Sequence, residues 1–341
     1  MQIRPLGKQG PDVGAVGLGC MPMSWAYGID DQDEATSIAV LERALELGVT
    51  HWDTAALYGV GDNETLIAKV LNRHRDQVAI ATKCGLICTD RATFTIERNG
   101  RPESVLAELD ASLQRLGTDH VDLWYLHRVD PTVPLAETWG AMATAVAAGK
   151  VRQLGLSEVT LDQANEANAT HPVGAVQSEL SLWTRDALGL VQEPRTDVEA
   201  PPPTDYQGGG VAPQDMVSWC ADNGAAFVAF SPLGRGFLTG QLTTVAAKGD
   251  FRSNNPRFQP QSLTANQVIV DAVQSVANRL STSAARVAIA WVLSRGQHVL
   301  TIPGTKRVKW LEQNATASDV TLSEADLAEL DAIPAAVGTR Y

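Results

Sequence analysis

The chain has 341 residues, 44% apolar and 19% charged, and a formal net charge of −12. That length suits one large domain or two ordinary ones and leaves ample apolar surface to bury. The acidic balance argues against nucleic acid, whose phosphates need clustered Lys and Arg, and against an anionic membrane surface, while a phosphorylated cofactor needs only a local basic patch.

Residues 1–12 read as a short polar hairpin or cap, and 14–19 as a Gly-rich apolar strand. A loop, 21–31, carries Trp25 and Tyr27. Ile38, Leu41 and Leu45 recur at helical spacing until Gly48, a left-handed cap, and a strand follows at 49–53. A helix near 64–72 leads to a strand at 78–83. Residues 84–101 read as a long polar excursion. Pro102 opens a helix in the first-turn position that proline favours, and Gly117 ends it before a strand at 121–126. A helix from about 134 stops at Gly149, followed by strand 151–156. Thr160 with Gln163 forms a capping-box pattern, and strand 174–178 comes next. An irregular stretch, 184–212, contains Pro201-Pro202-Pro203 and Gly208-Gly209-Gly210. A helix ending at Gly224, strand 225–230, a long loop 231–262, helices 265–280 and 283–295 ending before Gly296, strand 298–302, helix 306–316 and a last helix after Ser323 complete the chain.

Eight short apolar strands separated mostly by helices imply a parallel sheet with right-handed crossovers. In one chain of this length they fit a closed (β/α)8 barrel, here a single domain over 1–341 with an N-terminal hairpin cap and an extra C-terminal helix. A doubly wound open sheet is the alternative. It calls for a phosphate-binding glycine turn opening a helix, whereas Gly14, Gly17 and Gly19 lead into a loop. In a barrel the active face is built from the loops after the strands, here 21–31, 84–101, 184–212 and 231–262. No apolar run of about 18 residues appears, and the first residues lack a signal-peptide core, so a cytoplasmic protein is expected. Cys20, Cys84, Cys88 and Cys220 contain no C-x-x-C pair, so reduced thiols and no metal are expected.

Three of these strands end on a polar or charged group. His51-Trp52-Asp53 is followed at five residues by Tyr58; Ala79-Ile80-Ala81-Thr82 ends on Lys83; Leu123-Trp124-Tyr125-Leu126 ends on His127. A buried ammonium stabilises a neighbouring phenolate and lowers the tyrosine pKa from about 10, which makes Tyr58 a better acid near neutrality. Asp53 is the counter-ion that keeps Lys83 charged. His127 orients a substrate oxygen or shares the proton transfer. Together these groups polarise a carbonyl and protonate its oxygen as hydride reaches carbon. No side chain supplies hydride, so a nicotinamide cofactor is implied. Taken singly, Asp53 with Lys83 reads as a structural ion pair, Tyr58 as surface or core, and His127 as a satisfied core histidine.

Asp53, Tyr58, Lys83 and His127, on the second, third and fourth strands, resemble the tetrad of the aldo-keto reductases. Flanking words agree: Gly17-Leu18-Gly19-Cys20-Met21, Asp53-Thr54-Ala55, Ala81-Thr82-Lys83, Gly149-Lys150-Val151-Arg152, Ser231-Pro232-Leu233-Gly234 and Ile302-Pro303-Gly304. The likeness is to the bacterial and plant-type branch acting on assorted aldehydes and ketones. It implies an NADPH-dependent reductase of small carbonyl compounds. It places Ser157, Glu158 and Gln177 at the nicotinamide carboxamide and Phe230 on the nicotinamide ring. Ser231, Leu233, Gly234 and Arg235 follow the pyrophosphate, Gly304, Lys306 and Arg307 the 2′-phosphate, and Gln313 and Asn314 the adenine. Two positive charges at 306 and 307 favour NADPH over NADH. Met21, Trp25, Tyr27 and Trp124 are candidates for the substrate wall, as is Trp183. Two positions depart from the pattern: Glu158 stands where many relatives have Asn, and Leu180 where many have Tyr. A carboxylate only accepts hydrogen bonds, so Glu158 meets the carboxamide NH2 and not its oxygen. A cofactor-sensing subunit of a membrane channel, with slow turnover, and a Schiff-base aldolase using Lys83 are the competing readings; the aldolase needs a lysine of depressed pKa.

Overall fold

A computed structural model describes residues 1–27, 32–90, 95–191, 195, 211–245 and 250–340. The Pro- and Gly-rich run 201–210 lies outside the described residues. Eight parallel strands follow one another around the sheet in chain order: β1 Leu18–Gly19, β2 His51–Asp53, β3 Ala79–Cys84, β4 Val121–Leu126, β5 Val151–Ser157, β6 Val173–Glu179, β7 Ala226–Phe230 and β8 Val299–Thr301. The sheet closes on itself. Val16 bridges Thr301 and Gly19 bridges Gly304, both parallel, and the Gly17 N–H donates to the Thr301 carbonyl at 2.8 Å. The seam requires glycine, since a Cβ on Gly17 or Gly19 would sit 2.7 Å from the carbonyl oxygen of His51 or Ile302. This is why the strand expected over 14–19 is a two-residue ladder with bridges on either side. Gly14 itself belongs to the N-terminal hairpin of Ile3–Pro5 and Asp12–Gly14.

That hairpin is an apolar plug rather than a polar flap. Leu6 and Val13 join Ala79, Ala81, Leu123, Tyr125, Ala175, Ala226 and Val228 in the barrel interior. Gln153 inside the barrel holds the Leu6 carbonyl at 2.6 Å. Buried Arg4 donates to the carbonyls of Leu293, Gly296 and Val299. The side-chain period of two in a strand sends alternate residues inward and outward. The outward set, among them Trp52 and Trp124, packs with helix residues such as Trp139 in a second and larger core. Small inward residues make room for Tyr125: a Cβ on Gly155 would lie 2.4 Å from its ring.

The helices obey their end signals. Gly48, Gly117, Gly149 and Gly224 all take left-handed backbone, with φ between 65° and 75°, while Gly296 has φ 154° and does not. Thr160 and Gln163 close the expected capping box, and Ser323 with Asp326 forms a second one at the final helix, Glu324–Asp331. The excursion after β3 is an antiparallel ribbon, Leu86–Asp90 paired with Thr95–Arg98, and not structureless loop. No helix among the described residues is long and apolar enough to cross a membrane.

Candidate active site

Period-two alternation carries the site. His51 and Asp53 on β2, Ala79, Ala81 and Lys83 on β3, and Leu123, Tyr125 and His127 along β4 and just past it share the inward face, with Asp53 opposite Ala81 and Lys83 opposite Tyr125. Lys83 Nζ donates to Asp53 Oδ1 at 2.5 Å, to the Thr54 carbonyl at 2.8 Å and to the Tyr58 hydroxyl at 3.3 Å. The other Asp53 oxygen accepts from Gln177 Nε2 at 2.7 Å, which brings β6 to the same point. Tyr58 reaches it from the loop after β2. The N–H groups of Thr54 and Ala56 donate to the carbonyls of Ala81 and Lys83, and the chain then turns through left-handed Gly59, Val60 and Gly61. His127 stands edge-on to the phenol, with ring centroids 5.9 Å apart and planes at 83°. Trp25 lies against the phenol at 5.8 Å.

Burial sets the electrostatics. It pulls Lys83 down, but Asp53 and the phenol together outweigh it, and the net shift is upward. The amine is therefore charged at neutral pH, which removes the condition for a Schiff-base lysine. Burial also drives Tyr58 up; the Lys83 charge opposes it and is outweighed. The phenol is thus held protonated, contrary to the expected net depression. Burial, with the charges of Arg128 and Lys83, pushes His127 well below the ordinary histidine range. Its imidazole is neutral, its buried Nδ1 has no hydrogen-bond partner among the described residues, and it is suited to orienting an oxygen rather than giving up a proton.

The same rim continues through the next three strands. Ser157 ends β5 and accepts from Arg128 Nη1 at 3.1 Å. Glu158, in left-handed backbone at φ 52°, accepts from the Glu179 N–H at 2.9 Å and from Arg340 Nη2 at 2.6 Å. Phe230 ends β7 half-buried against the interior cluster. Ser231, Gly234, Arg235 and Gly236 after it all have positive φ, and Leu233 is half-buried between them. Two of those four are not glycine, a strain that persists only where surrounding structure holds it. Across the seam, Lys306 Nζ donates to the Tyr27 carbonyl at 3.0 Å. Gly304 packs on Pro22, where a Cβ would approach to 2.9 Å. Gly304 and Arg307 are exposed, Gln313 is half-buried, and Asn314 is buried in the helix Val308–Ala315.

The model of the aldo/keto reductase family matches residues 15–199 and 203–335. The chain belongs to the aldo/keto reductase family. A curated relative, a probable aldo-keto reductase 1 of Glycine max, is 38% identical over 348 residues, covering 100% of this chain and 92% of the relative. A thermostable aldo-keto reductase solved with the inhibitor epalrestat superposes with a TM-score of 0.72 at 26% identity, covering 98% of this chain and 100% of that one. A glycerol dehydrogenase from Gluconobacter oxydans shares the fold, with a TM-score of 0.81 at 24% identity over 97% of this chain and 94% of its own. The family makes the chain an oxidoreductase of carbonyl compounds with the (β/α)8 fold.

Within this aldo-keto reductase two expected wall residues are elsewhere. Trp124 is fully buried in the outer core, because it alternates with inward Leu123 and Tyr125. Trp183 stacks on Phe237 at 4.5 Å and packs edge-on to Phe258, so it is a packing residue beneath the loop after β7. Leu180 is fully buried in the outer core. Met21, Trp25 and Tyr27 remain half-buried on the active face. Sequence reasoning passed over Asn63, whose amide donates to Cys20 O and Ser24 Oγ and whose Oδ1 accepts from Thr54, tying the loop after β1 to the loop carrying Tyr58. It also passed over Glu64, buried between Thr82 and Arg115 directly behind Lys83. Both sit two turns or less beyond Tyr58 at the head of helix Asp62–Leu71, where a polar side chain otherwise reads as solvated.

Proposed function

We propose that the chain, as a single barrel domain, is an NADPH-dependent reductase converting an aldehyde or ketone to the alcohol, reversibly, with Tyr58 as proton donor. The observation that carries this reading is the Tyr58 hydroxyl 3.3 Å from a buried ammonium that is itself held at 2.5 Å by Asp53. In the reaction the Tyr58 O–H bond breaks toward the substrate oxygen, and Lys83 stabilises the phenolate left behind. Neutral His127 holds the same oxygen from the other side. A phenol shifted upward by burial stays protonated at neutral pH, so the resting site is set for reduction. Trp25, which lies against the phenol, begins the substrate wall in this reading, and Met21 and Tyr27 on the same loop continue it.

A nicotinamide dinucleotide, when bound, supplies the hydride. The residues present suit it: Ser157, Glu158 and Gln177 for the carboxamide, Phe230 for the ring, and the left-handed turn with Ser231, Leu233, Gly234 and Arg235 for the pyrophosphate. Gly304, Lys306 and Arg307 suit the 2′-phosphate, and Gln313 and Asn314 the adenine. Paired cations at 306 and 307 support NADPH over NADH. The test is Tyr58→Phe with NADPH and a panel of carbonyls: binding survives while reduction falls by about 10²–10⁴-fold. Turnover equal to wild type removes Tyr58 as the acid, and equal affinity for NADH and NADPH removes the phosphate site.

A further inference from the structure

A buried charge cluster lies just past Gln177 at the end of β6 and takes no part in the proton transfer. Glu179 follows Gln177 at a spacing of two on β6, so it shares that residue's inward face. Its Oε1 accepts from Thr184 at 3.0 Å. Its Oε2 faces two guanidinium groups: Arg235 Nη2 donates to it at 3.1 Å, and Arg340 Nε lies at 3.6 Å. Arg340 also donates to Glu158 Oε2 at 2.6 Å and lies 3.8 Å from Asp186. Arg257 donates to Thr184 Oγ1 at 2.7 Å and closes the group. The side chains of Glu158, Glu179, Arg235 and Arg340 are 2%, 2%, 5% and 8% exposed.

Arg235 therefore has two claims on it. The turn that carries it is the one suited to a pyrophosphate, yet its guanidinium is committed to a buried carboxylate. An arginine leaves such a partner only if the charge left behind keeps another counter-charge, because an unpaired buried carboxylate is costly. Oε2 of Glu179 has one, since Arg340 stands on the same oxygen. Burial alone raises this carboxyl, but Arg235, Arg340 and Arg257 together hold it at about 2, so it is ionised throughout.

We propose that Arg340 is a positioning residue for the dinucleotide: by holding Glu179 it lets Arg235 turn from that carboxylate to the pyrophosphate. In this role Arg340 acts through Glu179, and its second bond fixes Glu158 in the place where relatives carry Asn. This rests on the dinucleotide reading above.

The experiment is a titration of NADP+ by intrinsic fluorescence quenching on wild type, Arg340→Gln, Arg340→Lys, Glu179→Gln and the Arg340→Gln/Glu179→Gln double variant, each checked for a cooperative melt. Arg340→Gln weakens binding about tenfold, and Arg340→Lys restores most of it. Glu179→Gln, which frees Arg235 while Arg340 keeps its bond to Glu158, tightens binding, and in that background the further loss of Arg340 changes Kd less than about twofold. An Arg340→Gln protein that binds like wild type overturns the inference alone. So does an equal loss with and without Glu179, which would place the effect in Glu158 or in the fold. A Glu179→Gln protein that binds more weakly overturns it independently of any Arg340 variant. A wild-type protein that binds no dinucleotide overturns the functional reading and this inference with it.

Discussion

Replacing Lys83 with Met tests whether the ion pair at the barrel mouth is a desolvated pair, without any appeal to activity. The side chains of Lys83 and Asp53 are 0% and 3% exposed. In Lys83→Met, Asp53 keeps the Gln177 amide on Oδ2 and loses its donor on Oδ1, and the Thr54 carbonyl loses its donor as well. Breaking one side of a buried pair costs about 3–5 kcal/mol. Asp53→Asn takes away the counter-charge and leaves the ammonium on neutral acceptors, Thr54 O and Tyr58 Oη among them, and belongs in the same range. The double variant removes both charges, so its cost falls short of the sum of the singles by about 2 kcal/mol or more. Urea unfolding followed by tryptophan fluorescence measures all three. A Lys83→Met protein within about 0.5 kcal/mol of wild type would refute the claim that this pair is cut off from water.

Glu108 accounts for a pH effect away from the chemistry. Burial raises its carboxyl to about 7, only partly opposed by the Gly85 N–H and Arg115. The unfolded chain releases that proton near 4.5, so between those values the folded state holds a proton that the unfolded state has lost, and stability declines as pH rises through the window. Glu108→Gln removes this decline and leaves the variant more stable than wild type at pH 8, by about 3 kcal/mol at most; identical melting curves for the two proteins at pH 5 and pH 8 would rule it out. Gly155→Ala drives a methyl into the Tyr125 ring and costs about 1–3 kcal/mol, recovered largely in Gly155→Ala/Tyr125→Leu. A silent Gly155→Ala in urea unfolding would mean that the interior has slack at that layer.

Much of the fold was legible because its signals are short-range. The strand expected at 121–126 is β4, the others shift by a residue or two at most ends, and the left-handed glycines at 48, 117, 149 and 224 and the box at Thr160 are local backbone requirements. The seam at β1 and the ribbon that pairs 86–90 with 95–98 were not legible. The first depends on how close Gly17 and Gly19 come to His51 and Ile302, and the second on a pairing whose side chains face no core of their own. Trp124 was misplaced because an aromatic residue near a polar strand end looks the same in sequence whichever face it takes; one step of register relative to Tyr125 decides it.

By itself the sequence determined the repeating strand–helix plan, the strand ends that deliver Asp53, Lys83 and His127, and the loop that delivers Tyr58, since apolar periodicity, caps and turn residues act over a few neighbours. Tertiary structure alone decided that Lys83 stays charged, that burial holds the phenol protonated and the imidazole neutral, and that Arg340 joins Arg235 on one carboxylate oxygen of Glu179. Those outcomes turn on desolvation and on charges brought together from segments as far apart as 158 and 340, and neither is a property of any stretch of chain taken alone.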